Sequence, residues 1–93
     1  MTIRLTIGGR VFHALWEHRP DDWDADTYRA MDELRRNSKP GGFGGLVHSA
    51  DVPEHVAAVL GRDMLKLAGE TADPQLRAKL ARSASSIGRK VSL

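Results

Sequence analysis

Between Ser38 and Leu46 the chain reads Lys39-Pro-Gly-Gly-Phe-Gly-Gly45, four glycines and a proline within six residues. Glycine costs the most entropy to order and proline lacks an amide hydrogen, so such a run can be neither helix nor regular strand. A glycine-rich loop over 38–46 is therefore expected, with a hairpin-plus-helix part before it and a helical part after it. Ninety-three residues leave room for one domain over 1–93. A chain this short buries only about 60–65 % of its unfolded surface, so its few apolar stripes must carry the fold.

Residues 2–7 alternate between polar and apolar (Thr2, Ile3, Arg4, Leu5, Thr6, Ile7), the period of a strand. Gly8-Gly9 suits a tight turn, and Arg10 to Trp16 reads as a returning strand. This predicts a hairpin over 2–16, with Ile3, Leu5, Ile7, Phe12, Ala14 and Trp16 on one apolar face and Val11, His13 and Leu15 on a mixed one. Pro20 ends the strand, and Asp22 or Asp24 caps a helix over 23–36 whose stripe is Trp23, Thr27, Ala30, Met31 and Leu34. Its outer face pairs Arg29 with Glu33 and Asp32 with Arg36 at helical spacing. Asp51-Val-Pro-Glu54 has the form of a helix start. It predicts a helix over 52–68 with Val56, Val59, Leu60, Met64 and Leu67 inward and Gly69 as its stop. Asp73-Pro74 opens a helix over 74–90 by the same logic, with Leu76, Leu80, Ala84, Ile87 and Val91 in one narrow arc. The expected fold is α+β in the order ββααα: an N-terminal two-stranded antiparallel hairpin followed by three helices. A bare hairpin leaves open edges, which predicts a homo-oligomer.

Composition excludes several classes of chemistry. There is no cysteine, hence no disulfide, no thiolate metal site and no cysteine nucleophile, as suits a reducing, cytoplasmic compartment. No apolar run approaches the roughly 20 residues of a membrane span, and the N-terminus alternates where a leader would be continuously apolar. No membrane association is expected. The formal charge is +2, but it is unevenly spread. Glu17 to Glu33 holds seven acids against Arg19 and Arg29; Pro74 to Leu93 holds five bases and no acid. These two segments could attract each other within or between molecules.

Few residues form a recognisable site. The glycine run ends in Leu46-Val47 and lacks the lysine and hydroxyl of a phosphate loop. His13, His18, His48 and His55 lack the close pairing of zinc ligands. Ser49 beside His48 and Asp51 has the letters of a triad, but a triad is assembled from separated segments. No cofactor, no metal and no catalytic residue is expected, and the chain is read as a non-enzyme. Three residues remain as partner contacts. Phe43 is an aromatic between glycine pairs, able to anchor in a partner's pocket. Asp63 falls inside the apolar stripe of its helix, where a carboxylate needs Lys66, an arginine or a partner to satisfy it. Leu65 lies on the polar side of the same helix. Lys79, Arg82, Arg89 and Lys90 lie away from the apolar arc of the last helix and offer the alternative, a face for phosphates.

Ten arginines against four lysines, abundant Ala, Asp and Gly, and runs such as Thr71-Ala-Asp-Pro-Gln-Leu-Arg-Ala-Lys-Leu80 give a compositional resemblance across the chain. It resembles the small orphan accessory proteins of high-GC actinobacteria and their phages, of mycobacteriophage type. Many of those phage proteins bind and disable a host protein. The resemblance implies a small protein-binding module that modulates such a host target; the alternative is a small nucleic-acid-binding regulator using the basic face of the last helix or a β-ribbon with Arg4 and Arg10.

Overall fold

The computed structural model describes residues 1–41 and 45–91. It is α+β, as expected, but in a different order: β1 (Thr2–Gly8), α1 (Gly9–Glu17), α2 (Ala25–Arg36), β2 (Ser38–Pro40), β3 (Leu46–Pro53), α3 (Glu54–Glu70) and α4 (Pro74–Lys90). A three-stranded antiparallel sheet in the order β1-β3-β2 and four helices replace the expected two strands and three helices.

The predicted hairpin over 2–16 is not formed. β1 is a strand with Leu5 and Ile7 buried, as its alternation requires, but Gly8-Gly9 is no turn. Gly8 is extended (φ −74°, ψ 162°) and serves as the N-cap of α1. Residues 10–17 carry two periods at once: Val11, Ala14 and Leu15, spaced i, i+3, i+4, make a helical stripe, and these three are buried. Phe12 packs only partly against the core and Trp16 is 41 % exposed, whereas both were expected inside. The true partner of β1 is β3, with Leu5 opposite Ala50 and Ile7 opposite His48. β3 takes Asp51, read from sequence as a helix cap, into a strand opposite Arg4. Helix α3 consequently starts two residues later than expected. Pro53 is its N-cap and gives no side-chain hydrogen bond; instead the Met1 carbonyl accepts from the Glu54 amide at 3.1 Å. Gly69 does not stop α3, which runs on to Glu70. The expected loop over 38–46 yields β2 at one end and the start of β3 at the other.

The alternation of β1 and β3 sorts the sheet into two faces. Leu5, Ile7, His48, Ala50 and Val52 are buried beneath the helices; Thr2, Arg4, Thr6 and Asp51 face solvent, the usual economy of a one-sided antiparallel sheet. Over the buried face, α3 contributes Val56, Ala57, Leu60 and Met64, α1 contributes Val11 and Leu15, α2 contributes Met31 and Leu34, and α4 contributes Leu80, Ala84 and Ile87. At Gly61 α3 and α4 approach closely: a Cβ placed there would lie 3.3 Å from Ile87 Cγ2. With the hairpin gone, the sheet still has an outer strand in β1, where Lys90 Nζ donates to the Arg4 carbonyl at 2.9 Å. None of the described helices is long and apolar enough to cross a membrane.

The helix starts read from sequence at Asp24 and Asp73 are both present. Asp24 accepts from the Thr27 amide, and Asp73 from the amides of Gln75 and Leu76, satisfying first-turn donors. Hydrogen bonds from the Thr27 backbone and hydroxyl hold the Asp24 carboxyl below its usual value. The Arg10 guanidinium, then the Leu76 amide, do the same for Asp73, and Arg35, with Arg36, for Asp32. A carboxyl lowered in the folded state stabilises fully above its ordinary value of 3.8 and loses that contribution as pH falls through its folded value. The melting temperature is therefore expected to hold down to about pH 5 and to fall below about pH 4. Asp73→Ser keeps a cap without a charge, so its melting curve should flatten over that acid range. An acid response identical to that of the unaltered chain would remove Asp73 from this account.

Candidate binding surfaces

Two surfaces concentrate side chains capable of recognition, and one buried contact shapes the first. Trp23, in the connection between α1 and α2, is buried, and its indole Nε1–H donates to Asp63 Oδ2 at 2.7 Å. Asp63 was expected within the stripe of its helix in need of a partner. It is 6 % exposed, and the partners are Trp23 and the neighbouring Arg62, whose Nε and Nη2 each lie 3.2 Å from Oδ1; Lys66 is not among them. Asp63 is thus satisfied inside the fold, by Trp23 and an arginine. Arg62 also reaches Asp22 at 3.9 Å, so the 18–24 connection is tied down on α3.

That anchoring sets an aromatic cluster at the surface. Tyr28 meets Trp23 edge-on with ring centroids 5.7 Å apart, and Trp16 meets Tyr28 edge-on at 6.1 Å. Trp16 and Tyr28 remain 41 % and 38 % exposed, which leaves two adjacent aromatic rings open to solvent. Arg19 donates to the Trp16 carbonyl at 2.7 Å and places its guanidinium carbon 4.1 Å from the Trp16 ring centroid, a cation–π geometry. Beside Trp16 a small cleft of about 90 Å³ runs between Phe12, Met31 and Arg35. Sequence reading missed this surface because it treated 10–16 as a strand. At 100° per residue Trp16 leaves the Val11–Leu15 stripe, and that was the available signal.

The second surface is a groove of about 840 Å³ between the start of α1, the start of β3 and the outer side of α4. Arg10, Lys79 and Arg82 line it, together with His13 and His48, and no acid does among the described residues. Arg10 is held at 2.6 Å by Asp73. Lys79, Arg82 and Arg89 are exposed and form no ion pair among the described residues. Within the acidic segment, by contrast, Asp26 pairs with Arg29, and Asp32 with Arg35 and Arg36. Among the described residues no ion pair joins it to α4, so the charge of α4 is left facing outward. Sequence alone located the bases of α4 and set Arg10 on a β-ribbon with Arg4; its place beside Lys79 and Arg82 comes only through the tertiary fold.

The remaining candidates are placed as follows. Phe43 lies outside the described residues. Leu65 is on α3 and 59 % exposed. Lys90 is occupied by the Arg4 carbonyl. The Ser49, His48 and Asp51 letters cannot act as a triad, since the pleat puts His48 on the helix side and the other two on the open face, where Ser49 bonds Thr6 and Asp51 pairs with Arg4. Asp24, Asp26 and His55 bring ligand atoms within 4.8 Å of one another, but Asp24 is capping α2 and Asp26 is paired with His55 at 3.3 Å and with Arg29 at 3.4 Å. Compared with family models, with curated proteins and with solved structures, the chain finds no match.

Proposed function

We propose that this chain is a small non-enzymatic protein-binding module whose contact surface is the Trp16–Tyr28 cluster, acting as an accessory protein that modulates a target protein, of a phage host on the compositional resemblance. The observation that carries this is the pairing of two part-exposed aromatic rings with a guanidinium stacked on one of them. Trp, Tyr and Arg are the residues that most often dominate binding energy at protein interfaces. Their large rings bury much area for little lost rotamer freedom. Here the rings are also pre-positioned, since Trp23 backs Tyr28 and is itself held by Asp63. Such support lowers the ordering cost of binding.

A second reading, binding to nucleic acid, is favoured by Lys79, Arg82 and Arg89 of α4, which are exposed and form no ion pair among the described residues. One experiment separates the two: capture of partners from a lysate of the source cell, with and without nuclease, by the unaltered chain, by Trp16→Ala/Tyr28→Ala and by Lys79→Ser/Arg82→Ser. The expected result is capture that resists nuclease and is lost in the aromatic variant while its melting temperature stays within a few degrees. Capture that survives the aromatic variant but disappears with nuclease and with the loss of the bases would overturn the proposal in favour of the second reading.

A further inference from the structure

We propose that the groove between the start of α1 and the outer side of α4 binds a phosphate monoester of the mononucleotide class, independently of the Trp16–Tyr28 surface. Its volume of about 840 Å³ falls within the range of small-ligand sites. Three basic side chains from two elements far apart in sequence, Arg10, Lys79 and Arg82, line a hollow that has no carboxylate among its described lining residues. Charged residues on a helix usually stand on a convex, solvated face with both signs interspersed. Here they line a concavity, and only Arg10 has an acidic partner among the described residues, Asp73, reached through Nη2.

His48 supplies an independent pointer to a ligand. It is 5 % exposed and stacks on Phe12 with ring centroids 4.4 Å apart. Its Nδ1 lies 2.8 Å from the Leu34 carbonyl; a carbonyl can only accept, so Nδ1 donates there, and in that tautomer Nε2 is the acceptor of the ring. No hydrogen bond to Nε2 is found among the described residues. His48 is among the residues that line this groove. A nearly buried acceptor at the wall of a basic hollow matches a ligand that brings a hydroxyl beside its anion. The first turn of α1 adds to the attraction: Gly8 gives no side-chain cap and no acid sits in that turn, so its amides have no side-chain acceptor. Phosphate on Arg10, Lys79 and Arg82, a sugar hydroxyl on His48 Nε2, and a base against Phe12 and Leu46 use each wall for the chemistry it offers.

The test is titration of the full chain, labelled with ¹⁵N, with inorganic phosphate, with adenosine 5′-monophosphate and with adenosine. The expected result is movement of the Gly9, Arg10 and Val11 amides with both phosphates. The nucleotide should bind about tenfold or more tightly than phosphate, the value of one added charge-assisted or polar contact, and adenosine should bind least. Lys79→Ser/Arg82→Ser, two exposed changes that spare the core, should weaken the nucleotide about tenfold or more with an unchanged melting temperature. The proposal is overturned if neither phosphate moves those amides at millimolar concentration, or if the double variant binds as well as the unaltered chain. Micromolar binding of an oligonucleotide without binding of the mononucleotide would also overturn it, and would assign the bases to a polymer surface.

Discussion

Replacing Leu60 with alanine is expected to remove about 2–5 kcal/mol of folding stability, a large part of the roughly 5–15 kcal/mol that domains possess. Leu60 lies midway along α3 and is fully buried. Its helix is packed on both sides, against α4 where Gly61 meets Ile87 and against the sheet and α1. A cavity opened there cannot collapse from a free side, and that is the condition under which lost methylenes cost most. Leu65→Ala, five residues on, is the control. Leu65 is 59 % exposed, so its truncation should change stability by no more than about 0.5 kcal/mol. Urea denaturation measures both. Equal losses in the two variants would mean that α3 presents a different face to the core.

Asp63→Ala should cost about 2–3 kcal/mol, chiefly because the buried Trp23 indole N–H loses its charged acceptor. The Arg62 contact adds little, since the Arg62 side chain is 59 % exposed and ion pairs at the surface are worth about 0–1 kcal/mol. Asp63→Asn keeps an oxygen for Trp23 and should lose less than half as much. Trp23→Phe removes the donor while keeping most of the ring. The double variant Asp63→Ala/Trp23→Phe should then be less destabilised than the sum of its parts, the mark of a direct interaction. Additive losses would show that Asp63 acts through something other than Trp23. Indole fluorescence in a Trp16→Phe background reports on Trp23 alone, because the chain has two tryptophans. Because Trp23 backs Tyr28, Asp63→Ala is also expected to weaken partner capture.

The limits of sequence reading are visible at particular residues. Phe12 and Trp16 were assigned inward because a strand period fits residues 10–16 as well as a helical one does, and a short apolar run does not decide between them. A neighbouring partner for β1 then looked natural, whereas the residues it actually pairs with lie 39 to 51 positions away. β3 itself, Leu-Val-His-Ser-Ala-Asp-Val-Pro, was hidden by small and polar residues on both of its faces. His48 reads as an ordinary surface histidine until the sheet turns it under the helices. Asp63 was recognised as anomalous from its position in a stripe, but Trp23, its principal partner, is forty residues away.

What the sequence by itself determined is what depends on neighbours along the chain. Asp73-Pro74 and the Leu80–Ala84–Ile87 arc specify α4 over Pro74–Lys90; Asp24 specifies the start of α2; the alternation of Thr2 to Ile7 specifies a strand with Leu5 and Ile7 inward. Caps, proline and periodicity act within a turn or two, so they are legible without a fold. The tertiary structure alone decided which strand pairs with β1, that residues 9–17 coil into α1, and which charges share a groove. Those choices follow from where the most apolar surface can be buried at once with its polar groups satisfied. That balance is a property of segments meeting across the whole chain: Leu5 against Ala50, Trp23 against Asp63, Arg10 beside Lys79 and Arg82.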